Sequence, residues 1–215
     1  LSDQLGYAVA MTGDTDGDGF DDLIAGAPFD DDRGSASGAA YVYYGAATGI
    51  DLAREEKLVP SDGAATDYFG FSVAGAGDID GDGLHDLLIG AYLDDDVAAG
   101  SGSAYVYMGD SGGIGSELKL GASDAASNDY LGRSAAGAGD VNADGIDDII
   151  VGASGEDDLG SNAGAAYLFL GTCTATTWYA DTDGDGYGDT SSAVSACSAP
   201  SGYVAADGDC DEADA

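Results

Sequence analysis

The stretch that decides the fold reads Asp78-Ile79-Asp80-Gly81-Asp82-Gly83-Leu84-His85-Asp86. Carboxylates stand at its positions 1, 3, 5 and 9 and glycine stands at position 6, which is the spacing that wraps oxygen ligands around Ca²⁺. The backbone carbonyl of position 7 can supply a further ligand. Like charges about 4 Å apart repel by about 1 kcal/mol even in water, so this density of acids predicts a bound cation. The same pattern, with an amide or a different small residue in places, recurs at 14–22, 140–148 and 181–189.

The chain as a whole is strongly acidic, with 41 Asp and Glu against 5 Lys and Arg and a formal net charge of −36. This balance excludes ordinary nucleic-acid binding and electrostatic docking on anionic membranes, because both require clustered Lys and Arg. Hydrophobic residues still make up 44% of the chain. They form runs between the acidic phrases, which favours a folded protein partly neutralised by metal over a merely acidic, solvated surface.

Two features point to an extracellular or cell-surface setting. Weak calcium loops saturate only at roughly millimolar calcium, as found outside cells, and Cys173, Cys197 and Cys210 lie close together in the sequence. An odd number of cysteines allows one disulfide with a spare thiol, or a bridge between molecules. No run approaches the ~18 apolar residues of a membrane span, so membrane insertion is not expected. No signal peptide opens the sequence and Leu1 is not an initiator Met, so we expect a processed or trimmed start.

The acidic phrase is the centre of a longer repeat. Gly6, Gly70 and Gly132 precede it at intervals of 64 and 62 residues. The same intervals separate the apolar runs 23–28, 87–92 and 149–154, and the tyrosine-rich runs 40–45, 104–109 and 166–171. A fixed period of this size indicates one supersecondary unit that is used three times.

Each unit predicts short β-strands, because its apolar, β-branched and aromatic runs are bounded by Gly, Asp and Ser. The expected strands of the first unit are 7–12, 22–27 and 39–44, weaker fourth runs stand at 57–59 and 118–120, and one helical turn is an open alternative for 51–57. Four antiparallel strands per unit are typical of a β-propeller blade. We therefore predict an all-β fold of propeller-type blades, with the acidic loop between strands one and two. The third unit shows no fourth strand after Gly171.

The unit resembles the FG-GAP repeat of integrin α-type β-propellers and their bacterial relatives. Phe69-Gly70, Gly26-Ala27-Pro28 and the acidic phrase carry the resemblance, which covers residues 1–171. It implies calcium ligands at positions 1, 3, 5, 7 (through the carbonyl) and 9 of three loops, namely Asp14, Asp16, Asp18, Phe20 and Asp22; Asp78, Asp80, Asp82, Leu84 and Asp86; and Asp140, Asn142, Asp144, Ile146 and Asp148. Asn142 carries no charge, so the third site should be the weakest. Ala143 replaces a glycine, which costs little provided that its φ is negative.

Three units are too few for a closed ring, since propellers have about four to eight blades. The sequence is therefore a fragment, one of several chains that complete a ring, or an open array of blades whose strand edges must pair with something. A strand from a neighbouring molecule filling the gap in the third unit is one hypothesis.

Residues 172–215 break the period and are expected to form a second, loop-rich domain beside domain 1–171. This segment resembles thrombospondin type 3 repeats and a similar metal-binding motif of bacterial surface proteins, through Trp178-Tyr179 before the fourth acidic phrase and through Asp209-Cys210-Asp211. The resemblance implies calcium at Asp181, Asp183, Asp185, the Tyr187 carbonyl and Asp189, with an incomplete loop at Asp207, Asp209 and Asp211. Calcium and a disulfide would hold this segment, and Cys197–Cys210 is the preferred pair.

Other residues have competing interpretations. Acidic triplets at 30–32, 94–96 and 156–158 fall between strands two and three, where a solvated turn is favoured over auxiliary cation binding. Tyrosines 41, 43, 44, 105, 107 and 167 favour packing between blades over a sugar-binding platform. His85, the only histidine, stands at a non-ligating position and is expected to be exposed, so no nucleophile–His–acid set can be assembled.

The sequence therefore favours a secreted, calcium-binding structural or adhesive repeat protein that is not an enzyme. It could belong to a bacterial surface or matrix and assemble itself into fibres. The alternatives are a module that binds a protein or polysaccharide, or the accessory part of a carbohydrate-active enzyme.

Overall fold

The computed structural model describes residues 2–197 and 199–208, and the regular elements in this part of the chain are β-strands. By Cα packing the chain divides into two compact units, Leu1–Ile79 with Leu84–Gly171, and Asp80–Gly83 with Thr172–Ala215. Within the described residues, no helix has the length and apolar character needed to cross a bilayer. The predicted all-β class is confirmed.

The first unit contains three antiparallel sheets, which we call blades 1 to 3. Blade 1 has the strand order β1 (Val9–Gly13), β2 (Asp22–Ala27), β3 (Ala39–Ala46) and β4 (Gly49–Leu58). Blade 2 has the order β5 (Ser72–Gly77), β6 (Asp86–Ala91), β7 (Ser103–Asp110) and β8 (Gly113–Leu120). Blade 3 consists of β9 (Leu131–Gly139), β10 (Asp148–Ala153) and β11 (Ala165–Phe169), so among the described residues it lacks a fourth strand, as predicted.

The core lies between the blades. Successive side chains of a strand point to opposite faces, and β6 therefore serves two neighbours at once. Leu87 and Ile89 pack in a cluster with residues of blade 1, whereas Leu88 packs with residues of blade 3. All six residues of β6 are buried. Tyr44, Tyr105 and Tyr107 belong to the cluster between blades 1 and 2, which confirms the predicted packing role of these tyrosines.

The glycines of the repeat lie where two blades approach most closely. A Cβ added at Gly26 of blade 1 would stand 1.9 Å from the carbonyl oxygen of Gly70 in blade 2. Gly70 has a φ of +84°, a left-handed value that favours glycine, and its N–H donates to the Gly90 carbonyl at 3.1 Å. A parallel bridge between Gly38 and Phe69 adds a backbone link at the same joint. The repeated glycines therefore set the spacing between neighbouring blades.

Several strand boundaries differ from the prediction. β1 begins at Val9 because residues 5–8 form turns and bends, and β3 continues to Ala46. The alternative of a helical turn at 51–57 is wrong. These residues belong to β4, which pairs with β3 from Ala46↔Gly49 to Ala40↔Leu58. Cross-strand pairing with β3 outweighs the helical preference of this charged run.

The second unit contains a sheet with the order β13 (Asp189–Ala196), β12 (Thr176–Ala180) and β14 (Tyr203–Val204). The segment is thus more strand-rich than predicted. A disulfide joins Cys173 to Cys197. The preferred Cys197–Cys210 pair is wrong, because β12 and β13 pair from Thr176↔Ala196 and bring the residues just outside this pair together. Cys210, Asp209 and Asp211 lie outside the described residues.

The position of the core predicts a contrast between two leucine substitutions. Leu88 is fully buried between blades 2 and 3, whereas Leu168 on the outer face of blade 3 is 49% exposed. We expect Leu88→Ala to lower the free energy of unfolding by about 2–5 kcal/mol and Leu168→Ala to lower it by less than about 1 kcal/mol. Urea denaturation followed by circular dichroism measures both. Equal losses would contradict the assignment of the core to the blade interfaces.

Candidate metal centres

Each acidic phrase forms a compact loop, numbered loop 1 (14–22), loop 2 (78–86), loop 3 (140–148) and loop 4 (181–189). Loops 1 to 3 connect the first two strands of their blades, as predicted. In loop 1, Asp14 Oδ1 accepts the N–H groups of Gly17 and Asp18 at 2.8 and 3.1 Å, and its Oδ2 accepts the Gly19 N–H at 2.9 Å. The carboxylate at position 1 is therefore fixed by the backbone that turns around it.

The carboxylates at positions 3 and 5 are oriented by short-range hydrogen bonds. Asp16 accepts the Asp18 N–H at 3.1 Å, and Asp18 accepts the Phe20 N–H at 2.9 Å. The same bond, from the N–H two residues further on, is made at Asp80, Asn142, Asp144, Asp183 and Asp185. These bonds form Asx-turns and hold one oxygen of each side chain against the loop.

In all three blades the aspartate at position 9 has the same environment, which differs from that of positions 1, 3 and 5. Asp22, Asp86 and Asp148 are fully buried. One oxygen of each accepts the N–H of position 2, and the other accepts the N–H of a glycine at the end of the third strand. For Asp22 these donors are Thr15 at 2.9 Å and Gly45 at 2.7 Å. The corresponding donors are Ile79 and Gly109 for Asp86, and Val141 and Gly171 for Asp148.

Two loops bring the carboxylates of positions 1, 3 and 5 together closely enough to share a cation. One oxygen from each of these positions lies within 4.8 Å of the others in loop 1 and in loop 4. The ligands predicted at position 7 are backbone carbonyls. Their residues differ in environment, since Phe20 and Tyr187 are exposed whereas Ile146 is buried. Oxygen-only donor sets of this kind suit Ca²⁺.

Loop 3 differs because of its amide. The Asn142 Nδ2 group donates to Asp144 Oδ2 at 2.8 Å. Where the other loops have two like charges, loop 3 therefore has an internal hydrogen bond. This bond reduces the repulsion that a cation would otherwise relieve, which agrees with the expectation that the third site is the weakest.

In loop 1 a positively charged side chain contacts one of the carboxylates. Arg54 of β4 places Nη1 2.8 Å from Asp16 Oδ2, and its guanidinium lies 4.1 Å from the Tyr44 ring centroid. Asp16 is buried, so this ion pair offsets part of the cost of its charge. Sequence reasoning missed this contact, because Arg54 lies in the run 51–57 for which one helical turn was an open alternative to a strand.

Loop 4 departs from the blade loops at position 9. Asp189 is only half-buried and accepts the N–H and hydroxyl of Ser191, instead of the N–H of position 2. These hydrogen bonds from Ser191 lower the pKa of Asp189. Asp181 still accepts the N–H groups of Gly184 and Gly186 at 2.7 and 3.1 Å. Asp207 is exposed and forms a parallel bridge with Gly188.

Position 4 overturns one expectation. Ala143 has a φ of +61°, and the glycines at the same position of the other loops have φ values of +77°, +78° and +82°. The loop thus requires a left-handed residue here, which costs a residue with a Cβ roughly 1–2 kcal/mol. The assumption of a negative φ at Ala143 is wrong, because the turn itself sets the dihedral angle.

The acidic triplets are not simple solvated turns. Their first members, Asp30, Asp94 and Glu156, are buried. In blades 1 and 2 they pair with Lys57 and Lys119, whose Nζ atoms lie 2.7 Å from Asp30 and Asp94. Burial opposes the charge of Lys57, but hydrogen bonds to Asp30 and Asp32 hold its pKa above the ordinary value. These lysines were missed, although both stand in the weak fourth runs of the sequence.

Burial also changes the ionisation of Asp67 near the second triplet. It raises the pKa of Asp67 to about 6, and the negative charges of Asp94, Asp95 and Asp96 act in the same direction. His85 is exposed, as expected, and its backbone N–H donates to the Asp14 carbonyl of the preceding blade at 2.9 Å.

Family comparisons agree with this geometry. Models of the FG-GAP repeat match residues 5–43, 53–107 and 131–169, so each blade is matched. The chain belongs to the FG-GAP repeat family. The contact between Gly26 and Gly70 accounts for both halves of the FG-GAP name. Gly70, the glycine of Phe-Gly in blade 2, lies against Gly26, the first glycine of Gly-Ala-Pro in blade 1.

Several integrin alpha chains resemble these FG-GAP repeats. Integrin alpha-6 of Gallus gallus is 34% identical over 157 residues, and integrin alpha-E of Mus musculus is 38% identical over 146 residues. Integrin alpha-7 of Homo sapiens is 34% identical over 90 residues. These matches cover 71%, 65% and 42% of this chain but only 14%, 12% and 7% of the integrins. The chain therefore spans a small part of the length of these relatives.

The left-handed alanine of loop 3 yields a test. We expect Ala143→Gly to raise the free energy of unfolding by about 0.5–1 kcal/mol, because glycine adopts this φ without strain but loses more entropy on folding. Gly184→Ala is the matched reverse substitution in loop 4, where an added Cβ meets nothing within 4 Å, and it should destabilise the protein. Urea denaturation of both variants measures the effect. If Ala143→Gly destabilised the protein, the positive φ at position 4 would not be what disfavours alanine there.

Proposed function

We propose that this chain is an extracellular, calcium-stabilised FG-GAP module that binds a protein or polysaccharide partner. The observation that carries the proposal is the arrangement of carboxylates at positions 1, 3 and 5, which are held by backbone N–H groups and converge within 4.8 Å in two loops. Without a cation these charges repel one another. Bound Ca²⁺ would supply the positive charge that fixes the loops.

The proposed ligands follow the loop positions. In the blades they are the side chains of positions 1, 3, 5 and 9 and the carbonyl of position 7, that is, Asp14, Asp16, Asp18, Phe20 and Asp22 in loop 1, with the corresponding residues of loops 2 and 3. Loop 4 and the acids 207, 209 and 211 would bind calcium in the manner of thrombospondin type 3 repeats. We also propose that residues 1–171 and 172–215 are separate domains, because the two segments resemble different calcium-binding repeats.

The setting and the role rest on two further observations. The Cys173–Cys197 disulfide supports an oxidising compartment outside the cytosol. Similarity to integrin alpha chains supports an adhesive or ligand-binding role over catalysis. Because the matched region is a small fraction of those relatives, we propose only the chemical class of the partner, a protein or a polysaccharide.

Removal of calcium tests the structural role of the metal. We expect EDTA to lower the melting temperature, and added calcium to restore it, because the loops lose the charge that offsets their repulsion. In loop 1, Asp18→Asn removes a proposed ligand, whereas Asp21→Asn removes an exposed charge at the non-ligating position 8. Only Asp18→Asn should reduce the calcium-dependent shift. An unchanged melting curve in EDTA would falsify the structural role of calcium.

Self-association is a second part of the proposal, supported by the outer faces of the array. Val9 and Met11 of blade 1 are 71% and 65% exposed, and Leu168 and Leu170 of blade 3 are 49% and 52% exposed. Val106, one repeat before Leu168, is buried between blades 2 and 3. A second copy could therefore cover blade 3 as blade 3 covers blade 2.

Sedimentation in calcium checks this. We expect a concentration-dependent dimer or larger species for the wild type, and weaker association for Met11→Asp, which charges the exposed face. The control is Ser2→Asp, which adds the same charge at an exposed position outside β1. A monodisperse monomer of the wild type at high concentration would count against self-association.

A further inference from the structure

Blades 1 and 2 each contain a lysine in the same chemical setting. In blade 1, Lys57 on β4 stands opposite Tyr41 on β3, and its Nζ lies 5.5 Å from the Tyr41 ring centroid. This ammonium bridges Asp30 and Asp32 of the first acidic triplet. The Tyr41 hydroxyl donates to Asp30 at 3.3 Å. A strand-borne lysine thus neutralises the acids that connect β2 to β3.

Blade 2 repeats the arrangement with one more acid. Lys119 on β8 stands opposite Tyr105 on β7, 5.3 Å from the ring centroid. Its Nζ lies 2.7 Å from a carboxylate oxygen of each of Asp62, Asp94 and Asp96. The buried Tyr105 hydroxyl lies 2.9 Å from Asp62 Oδ1 and 2.8 Å from Asp94 Oδ2, so its one proton is shared between the two carboxylates. Three carboxylates and a tyrosine therefore enclose one ammonium group.

Blade 3 contains the acidic half of the same site. The Tyr167 hydroxyl lies 2.8 Å from Asp124 Oδ1 and 3.1 Å from Glu156 Oε2 and shares its proton between them, as Tyr105 does between Asp62 and Asp94. Asp124, Glu156, Asp158 and Tyr167 line a cavity of about 250 Å³. Glu156 is buried at 6% exposure. The residue types and their hydrogen bonds match those of blade 2, apart from Glu in place of Asp.

The cationic half of the site is missing from blade 3. Among the described residues, no basic side chain pairs with Asp124, Glu156 or Asp158, and β11 is the edge strand of its sheet. The five basic residues of the sequence are Arg33, Arg54, Lys57, Lys119 and Arg133. Both lysines already serve blades 1 and 2. A lysine in the equivalent place of blade 3 would therefore belong to polypeptide other than these 215 residues.

We propose that the free edge of β11 accepts an antiparallel β-strand from a partner polypeptide, with a lysine of that strand opposite Tyr167. The backbone of the added strand would pair with the edge, as in other cases of β-strand addition. Its ammonium group would enter the cavity and bridge Asp124, Glu156 and Asp158. The surface is independent of the calcium proposal, because the cavity lies in the β10–β11 connection and the acidic loops lie at the other end of β10.

Two kinds of selectivity follow from this geometry. Edge pairing fixes the direction and register of the added strand, since a shift by one residue would turn the lysine to the opposite face. Charge fixes the residue type, because the cavity is bounded by carboxylates and would repel an acidic side chain. The partner class is therefore a lysine-bearing strand, and β8 (Gly113–Leu120) of this chain is a template for it.

A divalent cation is the competing occupant. Glu156 also lies near Asp129 and Asp157, and one oxygen from each of the three can come within 4.8 Å. Calcium takes about six to eight oxygen ligands and would leave the backbone groups of β11 unpaired. In blades 1 and 2 the equivalent acids contact a lysine, which favours a lysine-bearing strand over a divalent cation as the occupant of blade 3.

The test uses the full chain and a synthetic peptide with the sequence of β8, Gly-Ile-Gly-Ser-Glu-Leu-Lys-Leu. In its native register this strand places Lys119 opposite Tyr105 and would therefore place it opposite Tyr167. We expect the peptide to slow hydrogen exchange of the β11 amides and to bind at least about tenfold more tightly than the peptide with Lys119→Ala. Isothermal titration calorimetry gives the two affinities.

Substitutions in the cavity provide the matched control. Glu156→Gln keeps the shape but removes one of the three charges, and it should reduce the preference for lysine without changing exchange in β5–β8. Asp124→Asn, at an exposed position, is the second variant should Glu156→Gln impair folding. Absence of β11 protection by either peptide at millimolar concentration overturns the proposal. Equal affinity for the two peptides, or calcium protecting β11 without peptide in a Glu156-dependent manner, overturns it as well.

Discussion

The structure of the blades depends on one buried carboxylate in each. The aspartate at position 9 of the acidic loop accepts an N–H from position 2 and another from a glycine close to the end of the third strand. Asp86 makes both bonds at 2.8 and 2.9 Å while fully buried. An ionised carboxylate is tolerated in such a place only when its oxygens are satisfied. This residue therefore fastens the loop to the sheet and leaves the other carboxylates of the loop facing one another.

The loops also form part of the joints between blades. The His85 N–H of loop 2 donates to the Asp14 carbonyl of loop 1, and the Asp147 N–H of loop 3 donates to the Asp78 carbonyl of loop 2 at 3.0 Å. Blade 2 adds a bond from the Asp110 N–H to the Thr15 carbonyl. A cation that orders one loop would consequently stiffen its contact with the next blade. This links the proposed metal to the cohesion of the whole array.

The sequence predicted the parts of the fold that rest on local patterns. β2 has the predicted bounds because the acidic phrase marks its start, and the repeat interval located the blades. Local patterns could not predict the Cys173–Cys197 pair, which depends on the pairing of β12 with β13. Nor could they reveal the ion pair between Lys57 and Asp30 in blade 1, because the two residues are 27 positions apart in sequence. The dihedral angle of Ala143 follows from the turn and not from the residue.

Anomalous diffraction from crystals grown in calcium would locate the metal ions of the acidic loops directly. We predict one ion in each acidic loop, bound by the side chains of positions 1, 3, 5 and 9 and by the carbonyl of position 7, while in the three blades the position-9 carboxylate also keeps its two N–H bonds. Loop 3, with Asn142, should show the lowest occupancy at limiting calcium. Ions absent from the loops, or bound only at the acidic triplets, would contradict the account.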